Sequence, residues 1–362
     1  MFRTVIRPLL FALPPAAAHE VAFAALAPVE RIAPLRACVR VVMAPPPDER
    51  LIVHAMGLEF AHPLGVAGGL DKEARRPRAL ASLGFAHVEV GTVTAHPQDA
   101  NPEPNLFRLP ADRALINRLG FPNGGAAAIA RRLRGARGAV GAPVGVSIGK
   151  SRVVPVDHLE AVVADYTSSL DAVRDVADFV VVNVSSPNTA GLRSMQEGGH
   201  ARTLLSTLAA RAQDRPLLVK IAPDLDDAQI EALLAVVEEV RLAGVVATNT
   251  TIARPGLATG ADRIASIGAG GLSGPPLRAR ALEVVRRVRA RLGRRVTVVG
   301  VGGIETAEDA IAYVRAGADL LQMYTGFIYG GPGAPGRIAR GLASMVRREG
   351  AQQIAELVGV PA

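Results

Sequence analysis

Phe179-Val180-Val181-Val182-Asn183-Val184-Ser185-Ser186-Pro187-Asn188 begins as a continuous apolar run and turns polar at Asn183. Three consecutive β-branched valines with no polar alternation read as a strand buried on both faces, the habit of a parallel sheet covered by helices. Seven other runs share this form: 64–67, 87–90 and 144–148 before it, and 217–221, 245–247, 296–299 and 320–323 after it. Between most of them lie Ala/Leu/Arg/Glu stretches of helical period, such as 227–240 and 276–292. Eight strands alternating with helices predict the α/β class and a (β/α)₈ TIM barrel. A doubly wound open sheet is the other architecture with this alternation.

A barrel carries its chemistry at the C-terminal ends of its strands. In order, those ends read Gly68-Gly69-Leu70-Asp71-Lys72, Gly91-Thr92, Gly149-Lys150, Asn183 to Asn188, Lys220, Thr248-Asn249-Thr250, Gly300-Val301-Gly302-Gly303 and Tyr324-Thr325-Gly326. Only three of the 41 basic side chains are lysine, namely Lys72, Lys150 and Lys220, and all three fall there. In a chain that otherwise writes arginine, a lysine marks a place for a compact point charge. Asn183, Asn188 and Asn249 are three of only seven asparagines. Gly302-Gly303 before Glu305-Thr306, and the Gly270-Gly271-Leu272-Ser273-Gly274 loop, suit a phosphate held on backbone amides. The seven histidines show no metal-binding spacing and Cys38 lies outside the barrel, so no metal is expected. Amide and lysine groups at the mouth suit an anionic, planar, amide-rich ligand. Ser186 reads either as a turn serine, which Ser-Pro favours, or as a reactive group; no G-x-S-x-G elbow supports a hydrolase.

The 362 residues are 49% hydrophobic, 20% charged and 4% aromatic, with no Trp. That composition excludes a disordered chain, and a single cysteine excludes a disulfide scaffold. The net charge of +8 comes from arginines scattered over many helices, with no basic stripe interleaved with aromatics, so no nucleic-acid partner is expected. No segment calls for an obligatory protein partner. Residues 1–45 differ from the rest. The small-residue stretch Ala16-Ala17-Ala18 before His19-Glu20 resembles a signal-peptide cleavage site, though the apolar run is short and broken by Pro8, Pro14 and Pro15. The alternative is two short amphipathic helices, ending near Phe11 and running from Ala16 toward Val29. Their apolar faces would rest on an anionic membrane or on the barrel itself. Pro45-Pro46-Pro47 marks a linker, which divides the chain into units 1–45 and 46–362.

In their order, these motifs resemble the dihydroorotate dehydrogenase family, in its class 2, quinone-dependent and membrane-associated form. The matching strings include Gly-Gly-Leu-Asp-Lys (68–72), Glu-Val-Gly-Thr-Val-Thr (89–94), Asn-Leu-Phe-Arg-Leu (105–109) and Ile-Asn-Arg-Leu-Gly-Phe (116–121). Further along come Asn-Val-Ser-Ser-Pro-Asn-Thr (183–189), Val-Lys-Ile-Ala-Pro-Asp-Leu (219–225), Ala-Thr-Asn-Thr-Thr (247–251), Gly-Gly-Leu-Ser-Gly (270–274), Val-Gly-Gly-Ile (301–304) and Gln-Met-Tyr-Thr-Gly (322–326).

The resemblance implies a barrel with one FMN per subunit that oxidises (S)-dihydroorotate to orotate in pyrimidine synthesis. It implies Ser186 as the base for the C5 proton while the C6 hydride passes to flavin N5, with Thr189 and Phe121 in the proton relay. Class 1 members place Cys at that position, so Ser186 favours class 2. Orotate would be held by Lys72, Asn117, Asn183, Asn188, Asn249 and Thr250, with Arg118, Leu119, Gly120 and Phe121 in the same segment. FMN would contact Gly68, Gly69, Leu70, Asp71, Lys72, Thr92, Ser147 and Asn183, then Lys220, Thr248, Gly274, Gly303, Tyr324 and Thr325. Lys220 would face the reduced, anionic isoalloxazine, and Lys150 is given no direct contact.

His19, Arg108 and Tyr324 match residues that line a quinone tunnel, which implies ubiquinone or another membrane quinone as acceptor. It also implies a peripheral place on the cytoplasmic side of the cell membrane, the inner membrane in a bacterium, reached through the N-terminal helices. Three positions depart from the family pattern: Ser147 where Asn is usual, Pro122 for a common Asn, and Thr325 for Ser. Three rivals stand beside this reading: a class 1 enzyme, a Schiff-base aldolase built on Lys220, and a non-catalytic membrane-surface protein.

Overall fold

A computed structural model describes residues 2–136 and 138–360. Eight parallel strands close into a barrel in chain order: β1 (Leu64–Val66), β2 (Val88–Val93), β3 (Val144–Ile148), β4 (Phe179–Asn183), β5 (Leu217–Ile221), β6 (Gly244–Ala247), β7 (Thr297–Val301) and β8 (Leu320–Met323). Closure comes from β8 pairing with β1, Leu321 opposite Leu64. Val180, Val181 and Val182 are fully buried, as a strand sandwiched between barrel interior and helices requires. Burying one such side chain contributes about 1.5–3 kcal/mol. The open-sheet alternative is therefore excluded.

The covering helices follow from local sequence. Asp226 caps Asp227–Val240 by accepting from the Gln229 amide at 2.8 Å, and the Gln229 side chain accepts from the Asp226 amide at 3.0 Å. That reciprocal box satisfies two otherwise orphaned donors. Ile230, Leu233, Leu234 and Val237 then recur on the helix face that packs inward.

Two features lie beyond the strand–helix alternation. A three-stranded antiparallel sheet joins Leu106–Leu109, Ala114–Asn117 and Gly271–Ser273, bringing Asn117 opposite Gly271. At the opposite end, the barrel floor is filled by two rings over two glycines. A Cβ on Gly65 would lie 2.2 Å from the His87 ring, and one on Gly145 would lie 2.3 Å from the Phe179 ring. The rings meet edge to face at 6.2 Å.

The N-terminal segment forms α1 (Arg7–Ala12), α2 (Pro15–Ala25), α3 (Ala27–Arg31) and α4 (Ala33–Met43) after a π-helical turn at Phe2–Ile6. The expected single helix from Ala16 toward Val29 is divided at Leu26, because Pro28 offers no amide donor and its ring crowds the preceding turn. One face packs on the barrel: Ala18, Phe23 and Val29 are buried, the Phe23 carbonyl accepts from Arg76 Nε at 2.8 Å, and Glu30 accepts from the Ala79 amide at 2.9 Å. Another face stays in the open, with Leu9 68% and Val41 84% exposed. Among the described residues no helix is long and apolar enough to cross a membrane. Residues 45–48 have no regular structure, as the proline run predicts.

Candidate functional site

The strand ends that looked reactive in sequence converge on one cavity at the C-terminal mouth of the barrel. Its wall includes Gly68, Gly69, Lys72, Thr92, Asn117, Leu119, Gly120, Phe121, Asn183, Ser186, Asn188, Lys220, Thr248, Asn249, Thr250, Gly274, Gly303, Tyr324 and Thr325. The amides orient one another. Asn183 donates to Thr92 Oγ1 at 2.9 Å and accepts from the Ser185 hydroxyl at 3.2 Å. Asn249 donates to Ser185 Oγ at 2.9 Å, and Asn188 donates to Asn117 Oδ1 at 3.0 Å. Tyr166, on the helix Leu159–Val173, fixes the end of β4 by donating to the Asn183 carbonyl at 2.8 Å. A ring of amides held in this way presents donors and acceptors at set directions without reorganising when a ligand arrives.

Ser186 is buried and lies just past β4, and its Oγ accepts from the Asn188 amide at 3.2 Å. That is the turn-serine geometry, and Ser186 also lines the cavity. The cations divide. Lys150 is turned away from the cavity and donates to the carbonyls of Ser151 and Val154. The Lys220 side chain, in a residue 6% exposed, has no hydrogen bond or ion pair with any described residue. Lys72 is pulled down to about 8 by burial, against the pull of Asp71. Two lysines against a single wall carboxylate, Glu89, leave the cavity receptive to negative charge.

One corner is built for close approach. Gly303 has φ +72, and a Cβ there would stand 2.9 Å from the Gly274 carbonyl. Ser273 Oγ and Thr325 Oγ1 lie 2.8 Å apart beside it. Glycine is required because the two loops nearly touch.

A second cleft opens toward the N-terminal helices and shares Lys72, Leu106, Leu119 and Tyr324 with the first. His19 lies in it, stacked on Phe23 at 4.1 Å and held near 4, first by burial and then by Lys72, so it is neutral at physiological pH. Arg108 lies outside both clefts. It grips the end of α1 by donating to the carbonyls of Phe11 at 3.1 Å and Leu13 at 2.8 Å, with its guanidinium 4.6 Å over the Phe11 ring.

Five other expected residues are not on the cavity wall. Leu70 is buried in the core, and Asp71 is occupied by the amides of Arg75 and Arg76. Arg118 turns outward to the carbonyls of Ile267, Ala269 and Pro104. Ser147 lies behind Thr92, 2.9 Å from its hydroxyl, and Thr189 sits in the turn beyond Ser186.

The family model for dihydroorotate dehydrogenase matches residues 50–346. The chain belongs to that family. It is 53% identical to a dihydroorotate dehydrogenase (quinone) of Thermobifida fusca over 95% of this chain and 92% of the relative. It is 50% identical to one of Rhodococcus opacus over 100% and 99%. A solved DHODH from Eimeria tenella in complex with ferulenol superposes with a TM-score of 0.84 at 30% identity, covering 97% of this chain and 98% of that one. These relatives place the chain in the quinone-dependent class 2 of the dihydroorotate dehydrogenases.

Two wall residues of this dehydrogenase were not singled out in the sequence. Glu89 and Gln322 line the cavity from inside the barrel, joined by a 2.6 Å hydrogen bond from Gln322 Nε2 to Glu89 Oε2. A buried Glu within an apolar barrel strand was the available signal. Glu89 Oε1 and Gln322 Oε1 are buried with no donor among the described residues.

Proposed function

We propose that this chain is an FMN enzyme that oxidises (S)-dihydroorotate to orotate and delivers the electrons to a membrane quinone. The observation that carries the reading is the convergence of Ser186, four asparagine amides and two lysines without a side-chain hydrogen bond or ion pair among the described residues on one cavity, with a second, partly apolar cleft separated from it by Tyr324 and Leu119. The residues fit FMN. Gly274 and Gly303 put bare backbone on the cavity wall where a phosphate can approach it, and the Lys220 ammonium has no anionic partner among the described residues. When bound, FMN supplies the two-electron acceptor for the substrate and the donor for the quinone.

The protein's own part is binding, orientation and proton handling. Asn117, Asn183, Asn188 and Asn249 pair with the amide edges of a planar pyrimidine, and Lys72 neutralises its carboxylate. Ser186 takes the C5 proton. A hydroxyl is a weak base, so the site must be dry and the proton must leave. Thr189, three residues on, and Phe121, packed over Gly149, stand along the exit. His19, Tyr324 and the α2 face line the quinone's approach, and Arg108 secures α1 against the barrel. The exposed apolar side chains of α1, α2 and α4 rest on the cytoplasmic face of the membrane.

The deciding experiment is an anaerobic absorbance spectrum of the purified protein before and after dihydroorotate. A bound flavin band that bleaches supports the reading, a flavin that stays oxidised rejects the substrate, and a protein that cannot be charged with FMN rejects the cofactor.

Two predictions follow from particular side chains. Lys72 in the free site loses its charge as pH rises through about 8. Orotate, which stabilises the charged form, should therefore bind with constant affinity below that pH. Above it, the dissociation constant should rise by up to about tenfold per pH unit. Flavin-monitored titrations check this, and Lys72→Met should give weaker binding with no such rise. Ser147→Ala should keep the flavin and weaken its binding about fivefold, the effect of one hydrogen bond lost through Thr92. Complete loss of flavin in equilibrium dialysis would instead make Ser147 a direct contact.

A further inference from the structure

We propose that Arg193 is the positioning residue that latches the Ser186 turn over the site. Its guanidinium joins three separate segments. Nε donates to the Ser185 carbonyl at 3.2 Å, one residue before Ser186, and Nη2 donates to the Thr250 carbonyl at 3.1 Å, beyond β6. Nη1 pairs with Asp224 Oδ2 at 2.8 Å, beyond β5. Asp224 is itself tied to the β6 loop, accepting from the Ile252 amide at 3.2 Å and from the Thr251 hydroxyl. A planar fork reaches these acceptors with three separate nitrogens in fixed directions, whereas an ammonium offers its donors from a single nitrogen.

The segment so held needs holding. Ala190 and Gly191 are exposed, and between Ser186 and Leu192 the side chains offer one hydrogen bond across the mouth among the described residues, Asn188 to Asn117. Beyond it the chain is anchored again: Leu192, Met195 and Gln196 are buried, and the Gln196 side chain accepts from the Ala222 amide at 2.9 Å. Arg193 reaches back from this anchored end to the residue beside Ser186. It does not touch the cavity, so its effect on chemistry passes through Ser185 and Thr250. The Thr250 amide donates to Asn249 Oδ1 at 2.7 Å, a hydrogen bond that does not involve Arg193. Loss of the latch therefore falls on the base more than on substrate binding. The inference rests on Ser186 being the base.

The test uses the full-length, FMN-loaded protein and its Arg193→Gln, Arg193→Lys, Asp224→Asn and Arg193→Gln/Asp224→Asn variants, with Ser186→Ala in parallel. Stopped-flow bleaching by dihydroorotate should fall about 30- to 100-fold at saturation in Arg193→Gln, the size of effect that a misplaced reacting group produces. The half-saturating concentration should move by no more than about threefold. Arg193→Lys should recover little of the rate, and the double variant should be no slower than Arg193→Gln, since the pair acts as one unit. Peptide-resolved hydrogen exchange over 186–192 should speed up about tenfold in Arg193→Gln and lose its protection by orotate. Bleaching at the wild-type rate, or slow bleaching with unchanged exchange, would overturn the latch and leave Leu192 and Met195 as the anchors. Full activity in Ser186→Ala would reject the base assignment separately, because the exchange readout does not depend on it.

Discussion

Ser186→Ala should hold its flavin yet be reduced by dihydroorotate about a thousandfold more slowly, within the range that general-base groups contribute. The flavin should stay because the Ser186 side chain makes one hydrogen bond among the described residues, from the Asn188 amide. Thr92, Lys220, Gly274 and Gly303 are untouched by the change. Removing the hydroxyl leaves the amide ring intact, so orotate should still perturb the flavin spectrum at a similar concentration. Stopped-flow bleaching against a separate orotate titration distinguishes a lost base from a lost binding site. A rate within tenfold of the parent would move the proton elsewhere.

The second large effect concerns the other half of the cycle. Deleting residues 1–45 should leave reduction by dihydroorotate within about threefold of the intact chain, because no barrel strand and no amide of the ring belongs to that segment. Turnover with a long-chain quinone should fall by about two orders of magnitude. His19 and Phe23 leave the cleft wall, and the apolar faces that would bind the quinone tail go with them. Arg108 loses the carbonyls of Phe11 and Leu13, and Glu30 no longer meets the Ala79 amide. Short, soluble quinones should suffer less than long ones. Unimpaired turnover with a long-chain quinone would separate the N-terminal helices from electron delivery.

Much of the scaffold could be read directly because its signals are local. The helix Asp227–Val240 begins and ends where the sequence predicts, since Asp226 and Gln229 write its cap and Arg241 adopts the left-handed turn that stops it. The strand at 87–90 extends to Val93, because Val93 is buried and pairs with Ile148 after a register shift that a glycine at 91 masks. The antiparallel sheet over the mouth was invisible. Its strands are three or four residues long, and Ala114–Asn117 finds Gly271–Ser273 across more than half of the barrel.

The site shows the same division. Strand-end position brought Lys72, Lys220 and the asparagines to one cavity, but it could not say which way a side chain points. Lys150 and Arg118 sit at the right addresses and face elsewhere. Arg193 had the opposite difficulty: in a chain this rich in arginine, nothing in the sequence separates one fork from the rest.

The barrel floor bears on how this scaffold tolerates change. Gly65 with His87, and Gly145 with Phe179, fit as lock and tenon, and the two rings touch. A methyl added at either glycine has nowhere to go until its ring shrinks, and a smaller ring opens a void until its glycine grows. Viable variation at that end must therefore come as coordinated exchanges of two or more residues. The floor is in this sense a ratchet on divergence.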